Sequence, residues 1–337
     1  MDLPTVWFVL IAVLFAGYFF LEGFDYGVGV LMPFVGRTDN ERRAVVATIG
    51  PVWDANEVWL ITAGGAMFAA FPRWYAAVFS GFYLPLALVL AALIARSVGL
   101  EFRSKEADPR WRRAWDAMIW AGSLVPPLIW GVAMANMLRG VPLDAHGDVV
   151  GGVVPLLSPY TLVGGLATVA LLTLHGALYL CLKLPPELVG RAERLAYLVG
   201  GAATALYFAF VVYSYFATPV VARIGLDPGS IPVLAISSIV AVRFLLGRRL
   251  YGWAFAMNGA AIVLSVVLVF AILYPHVLVS TLRPSWSMTV AAAASNPYSL
   301  RVMSLLAVAA LPVVLAYQAW SYAVFRRRVS LRDPFHY

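Results

Sequence analysis

The sequence predicts an all-α integral membrane protein with nine transmembrane helices, on three observations. Of its 337 residues, 62% are hydrophobic and 12% are charged, whereas ordinary globular domains carry about 25% charged residues. Apolar stretches of roughly 20 residues, the length that crosses a bilayer as a helix, recur from one end of the chain to the other. The basic residues fall between those stretches in a strongly one-sided pattern.

The spans are expected at about 6–34, 53–71, 76–96, 116–138, 160–182, 196–216, 231–246, 252–275 and 302–325, the seventh being the shortest. No long polar segment, fixed-period repeat or low-complexity linker divides the chain, so residues 1–337 read as one polytopic membrane domain. The positive-inside rule tests the count. One set of loops carries Arg37, Arg42, Arg43, Arg96, Arg103, Lys105, Arg110, Arg112, Arg113, Lys183, Arg191, Arg194, Arg243, Arg248, Arg249, Arg326, Arg327, Arg328 and Arg332. The other set holds Arg73, Arg139, Arg223, Arg283 and Arg301. Nineteen cations against five predict an outside N-terminus and a cytoplasmic C-terminus. Deleting the seventh span would degrade the contrast to fourteen against ten. Trp and Tyr recur near span ends, as interfacial anchors do.

Composition also excludes function classes. Cys181 is the only cysteine, so intrachain disulfides and multi-cysteine zinc or iron–sulfur sites are out. The net charge of +7 sits in the loops between spans and needs no nucleic acid to explain it. The first apolar run lacks a basic leader and continues into Glu22 and Asp25, so no cleavable signal peptide is expected. No phosphate-binding glycine loop, zinc-type spacing or nucleophile elbow is present.

Ionisable residues at membrane depth are costly, and each is a functional hypothesis. The first span carries Glu22 and Asp25, and the second carries Asp54 and Glu57 with Asn56 between them. Each acid pair has i, i+3 spacing, which puts its members on one helical face. The first two spans are joined by a short loop and are expected to pack antiparallel. Four carboxyls and one amide would then converge near the cytoplasmic side, as a proton inlet requires. The bland alternatives are that Asp54 caps the second span and that Glu57 is interfacial. Gly23 and Gly27 form a GxxxG pair that predicts close approach of another helix and shelter for Asp25. His175, deep in the fifth span, is open to three readings: metal or haem ligand, proton relay, or hydrogen-bonded packing residue. His276 and His146 fall at the outer side and His336 in the tail.

Several runs resemble subunit II of the cytochrome bd-type quinol oxidases. They are Glu22-Gly-Phe-Asp-Tyr-Gly-Val-Gly, Gly36-Arg-Thr-Asp-Asn-Glu-Arg-Arg, and the long stretch from Trp53-Asp-Ala-Asn-Glu-Val-Trp through Phe71-Pro. Phe79-Ser-Gly-Phe-Tyr and Gly122-Ser-Leu-Val-Pro-Pro-Leu-Ile-Trp-Gly-Val-Ala resemble the same family. The resemblance is strongest over residues 17–142 and rests on span number and length beyond them.

That resemblance implies two four-helix bundles plus a peripheral helix. It implies a heterodimer with a haem-bearing subunit I, which holds two b-type haems, one haem d and the quinol site, alongside small single-span accessory subunits as candidate partners. It implies a bacterial cytoplasmic-membrane enzyme that oxidises quinol and reduces dioxygen to water, electrogenic without pumping. On the same basis Asp25 and Asp54 belong to a proton path, with Glu22 and Glu57 in support. Trp53 becomes a candidate contact for a structural quinone. No metal or cofactor is expected in this chain itself, with His175 as the one candidate ligand. A proton-coupled transporter is the alternative, because it too places acids at membrane depth. A purely structural subunit is the third reading.

Overall fold

The computed structural model describes residues 2–218 and 229–331. Arg223, Arg332 and His336, named above, lie outside the described residues. The elements in chain order are α1 (Leu3–Val35), α2 (Asp39–Ala47), α3 (Trp53–Ala70), α4 (Pro72–Gly81), α5 (Tyr83–Phe102), α6 (Pro109–Arg139), α7 (Pro159–Lys183), α8 (Pro186–Ala217), α9 (Ser230–Gly247) and α10 (Tyr251–Leu273). A two-stranded antiparallel ribbon follows, β1 (His276–Leu278) with β2 (Met288–Thr289), and then α11 (Val290–Ala293) and α12 (Pro297–Val324).

Local signals explain where the helices start. Proline occupies the first turn of α1, α6, α7, α8 and α12, where its missing N–H costs nothing. Asp2, Asp108, Ser158 and Asn296 accept hydrogen bonds from first-turn amides at the heads of α1, α6, α7 and α12.

Among the described residues, eight helices are long and apolar enough to cross a membrane, against the nine spans expected. The shortest expected span is one of the eight, as α9. The missing one is α3. It is an 18-residue helix over the expected stretch, but Asp54, Asn56 and Glu57 make its first two turns polar. The third expected span is built differently: α4 and α5 meet at Phe82, and α5 continues to Phe102, six residues past the expected end.

Helices α1, α3, α5 and α6 form one four-helix group and α7, α8, α9 and α10 a second, with α1 against α7 at the junction. In α7, 78% of the most apolar stretch is buried; in α12 the figure is 6%, so α12 is a peripheral helix. It touches the bundle lightly, against α1 and α3. At one end Trp7 Nε1 donates to the Leu300 carbonyl and the Ser304 hydroxyl. At the other, Gln318 and Tyr322 reach Asn56.

The α1–α7 junction depends on two glycines. A Cβ on Gly27 would overlap the Leu172 carbonyl and the Gly176 backbone, and a Cβ on Gly176 would overlap the backbone of Gly27 and Val28. The GxxxG expectation therefore meets α7, with Gly23 packed under Leu172. Dispersion between backbones at this range is what holds helices together where lipid is as apolar as leucine.

At the basic end of the bundle, short loops are fastened by ion pairs. Asp116 accepts from Arg42 at 2.7 Å and from Arg103 at 2.5 Å, and Asp39 accepts from Arg103 at 2.9 Å and from Arg112 at 2.8 Å. Glu41 closes a capping box with Thr38 at the head of α2. It also accepts from Arg191 at 2.8 Å, joining the α1–α3 connection to α8.

Two outcomes follow. Gly27→Val or Gly176→Val should sharply lower the yield of folded protein and its melting temperature, since overpacking a tight contact costs about 1–3 kcal/mol or more. Gly201→Val, which meets open space, should be tolerated in the same assay. The hydrogen bond from Arg191, aided by the Arg37 and Thr38 amides, holds the Glu41 carboxyl down at about 2, from an ordinary 4.5. A depressed value stabilises the folded state above the ordinary one, and the benefit is lost as pH falls from about 4.5 towards about 2. Glu41→Gln should lower the melting temperature at neutral pH, and the gap should close across that acidic window.

Candidate functional site

The site begins with α1, which brings Glu22 and Asp25 to one face as the spacing requires. Both are fully buried. Helix α3 runs antiparallel beside α1, with Asn56 level with Asp25 and Trp59 against Gly17. Asn56 Nδ2 donates to Asp25 Oδ2 at 2.7 Å. Asn56 Oδ1 in turn accepts from Gln318 Nε2 at 3.1 Å and from the Tyr322 hydroxyl at 2.8 Å.

The convergence expected of four carboxyls is corrected here. Glu22 and Asp25 are enclosed and Glu57 is half-buried, accepting from the Ser97 hydroxyl at 3.3 Å. Asp54 instead lies exposed on the surface of the chain. The reason is angular. Successive residues turn about 100° around a helix, so a residue two positions away points roughly the opposite way. Once Asn56 faces Asp25, Asp54 must face outward. Asp54 is not the cap of α3 either: Val52 is the cap residue, and no side-chain cap hydrogen bond forms. Asp54 lies in the first turn, where a negative charge suits the helix dipole.

The decisive partner was not recognised in the sequence. Arg96, counted there among loop charges, is completely buried and forms an ion pair with Glu22. Because α5 extends to Phe102, Arg96 sits inside a helix and points at α1. Its guanidinium also lies over the Tyr26 ring, 4.9 Å from the centroid. The Tyr26 hydroxyl shares a 2.5 Å hydrogen bond with that of Tyr18, one buried helical stretch away. The available signal was weak: a single arginine at the edge of an apolar run is the ordinary appearance of an interfacial residue.

Not every polar atom in the cluster is partnered. Glu22 Oε2, Asp25 Oδ1, and Arg96 Nε and Nη2 are buried with no hydrogen-bond partner among the described residues. Buried polar atoms are nearly always satisfied, so open donors and acceptors clustered around two acids mark a place that can take up a proton or a hydrogen-bonding guest.

His175 is elsewhere. Its Nε2 lies 3.1 Å from the Phe20 carbonyl, and its ring stacks on Phe255 at 4.2 Å. Of the three readings, packing describes these contacts best. An axial haem ligand needs a free ring nitrogen facing open space; Nε2 is taken and Nδ1 is enclosed. His175 therefore presents no ring nitrogen to a haem. The described residues contain no group of three or more His, Cys, Asp or Glu able to hold a metal ion. Trp53, the candidate quinone contact, is buried at the head of α3. His146 lies in the loop before α7, its amide donating to Asp144, and His276 opens β1.

A mainly helical bundle with eight membrane-length apolar helices among the described residues, a peripheral outer helix and an enclosed acid–arginine cluster defines a polytopic membrane protein. The chain belongs to the family described as cytochrome bd terminal oxidase subunit II, whose model matches residues 3–325. It is 42% identical over 336 residues to the cytochrome bd ubiquinol oxidase subunit 2 of Bacillus subtilis (strain 168), covering 100% of this chain and 99% of that one. It is 36% identical over 364 aligned positions to the cytochrome bd-I ubiquinol oxidase subunit 2 of Escherichia coli (strain K12), covering 98% and 96%. A solved structure of the bd oxidase from Geobacillus thermodenitrificans shares the fold, with a TM-score of 0.80 at 17% identity over 96% of this chain and 99% of that one. Family membership and the apolar helices make this an oxidoreductase subunit of the bacterial inner membrane.

The ion pair yields a stability test. Arg96→Leu strands Glu22 in the bundle and should cost about 3–5 kcal/mol, the usual penalty for an uncompensated buried charge. Arg96→Leu combined with Glu22→Leu should recover much of that loss in a thermal melt of the detergent-solubilised complex.

Proposed function

We propose that this chain is the haem-poor second subunit of a respiratory quinol:oxygen oxidoreductase, and that it supplies a cytoplasmic proton path to the partner's oxygen-reducing centre. As a subunit II it implies a partner subunit I and haems in the complex. The partner would carry the two b haems, haem d and the quinol site, and haem d would supply the reduction of oxygen to water. Quinol as reductant is suggested by relatives named ubiquinol oxidase subunits. Electrogenic turnover without pumping is part of the same reading.

The observation that carries the proton role is the graded burial of four acids at the arginine-rich end of the bundle. Asp54 is exposed, Glu57 is half-buried, and Glu22 and Asp25 are fully enclosed. On the orientation suggested by the basic loops, with the N-terminus outside, that end faces the cytoplasm. Protons enter at Asp54, pass Glu57, and reach Asp25, whose Oδ1 is open. Arg96 compensates Glu22 in place and leaves Asp25 as the group that exchanges a proton. Acids placed along a path at membrane depth are the usual mark of a proton relay.

Asp25→Asn in the assembled complex should slow oxygen reduction by about 10²-fold and slow proton uptake to match, with the haem spectrum intact. Unchanged turnover would remove Asp25 from the path. Purification of the tagged chain should bring down a haem-bearing partner; a colourless, monomeric chain that moves a solute would overturn the oxidase reading.

A further inference from the structure

The peripheral helix α12 is almost unburied, yet two of its side chains reach the most enclosed part of the molecule. Gln318 and Tyr322 lie i, i+4 on one face of α12, and both donate to Asn56 Oδ1, at 3.1 and 2.8 Å. With its oxygen so engaged, the Asn56 amide has one orientation left: Nδ2 points at Asp25 Oδ2, 2.7 Å away, and at the Leu21 carbonyl, 3.5 Å away. Those two atoms are acceptors. Turned over, the amide would set its oxygen against the Leu21 carbonyl, which can only accept, and Gln318 and Tyr322 would each have to turn a lone pair towards its NH₂ group.

We infer that α12 positions the acid: Tyr322 and Gln318, acting through Asn56, present Asp25 with a hydrogen-bond donor and so set which form of its carboxyl the site favours. This rests on the proposed role of Asp25 in proton transfer. A carboxylate accepts from an N–H donor, whereas a protonated carboxyl also needs an acceptor for its own O–H. The orientation imposed from α12 makes the Asn56 amide a donor to Asp25 and not an acceptor. Tyr322 and Gln318 are positioning residues; neither touches Asp25 through a hydrogen bond of its own.

The remaining charged and titratable neighbours of Asp25 come from the other elements packed around it: Glu22 on α1, Glu57 on α3, Arg96 on α5, Tyr179 on α7 and Tyr322 itself. The proposed substitutions leave all of these in place except the Tyr322 hydroxyl. Among the described residues, the hydrogen bonds of Gln318 and Tyr322 are the ones that lead from α12 into the acid cluster. The attachment at its other end, from Trp7 to Leu300 and Ser304, does not.

The test compares three forms of the assembled complex in proteoliposomes. In the first, Tyr322→Phe is combined with Gln318→Met. The freed Asn56 amide can turn its oxygen to Asp25 and accept from a protonated carboxyl. The pH profile of oxygen reduction should then move to higher pH by about one unit, the size expected for one hydrogen bond to a charged group. The infrared carbonyl band of protonated Asp25, identified as the band lost in Asp25→Asn, should persist to correspondingly higher pH. In the second, Trp7→Phe loosens α12 at the opposite end and should leave both readouts unmoved. The third, Asp25→Asn alone, checks the underlying reading. If Asp25→Asn slows turnover but the Tyr322/Gln318 variant shifts neither profile nor band, positioning by α12 is overturned while the proton path stands. Equal shifts from Trp7→Phe overturn it too, because mere loosening would then be enough. If Asp25→Asn has no effect, it is the proton path that fails.

Discussion

The fold is organised around a charge that the membrane would not tolerate elsewhere. Glu22 and Arg96 are both at zero exposure, and each makes the other admissible. Taking two ions out of water costs several kcal/mol apiece, and Coulomb attraction repays it only when the geometry is tight. That condition fixes the distance between α1 and α5, and with it the register of α6, which packs against both. Tyr26 covers the guanidinium from the side. The neighbouring acid, Asp25, sits three residues along the same face and is held by the Asn56 amide instead of by an ion pair. Two carboxyls one turn apart are thus given different partners, and difference of partner is how a protein makes chemically equal groups do unequal work.

Much of the architecture was legible because a bilayer imposes a length. Seven of the nine expected spans match single helices to within a few residues at most boundaries; the exceptions show where the reading ran out. Helix α8 begins at Pro186, ten residues before the expected start, because its first turns carry Glu187, Arg191, Glu193 and Arg194 and are too polar to register as a span. The α4–α5 break at Phe82 is marked only by Ser80-Gly81 before it and Pro85 after it, breaker residues set in an otherwise apolar run. The extension of α5 past Arg96 hid the most consequential residue of the site, since hydropathy treats any charge at the edge of a run as the edge.

The acids were found by cost alone, since a carboxyl in an apolar run stands out. Their grouping was only half right. Spacing of i, i+3 correctly joined Glu22 with Asp25, but the rotation of α3 about its axis is a tertiary fact. It is set by Asn56 meeting Asp25, and no pattern within α3 announces it. Gln318 and Tyr322 were unreadable for a similar reason: one amide and one phenol on a long apolar helix, more than 260 residues from their partner in sequence.

The sparse packing of α12 has a consequence for how the chain can vary. A helix bounded by protein must keep the shapes of its side chains, whereas one bounded by fluid acyl chains needs only to stay greasy. Most of the 28 residues of α12 lie outside the bundle, so packing within this chain does not fix their shapes. Specific information is concentrated at its two moorings. Within this chain, little besides those two moorings dictates which side chains α12 carries.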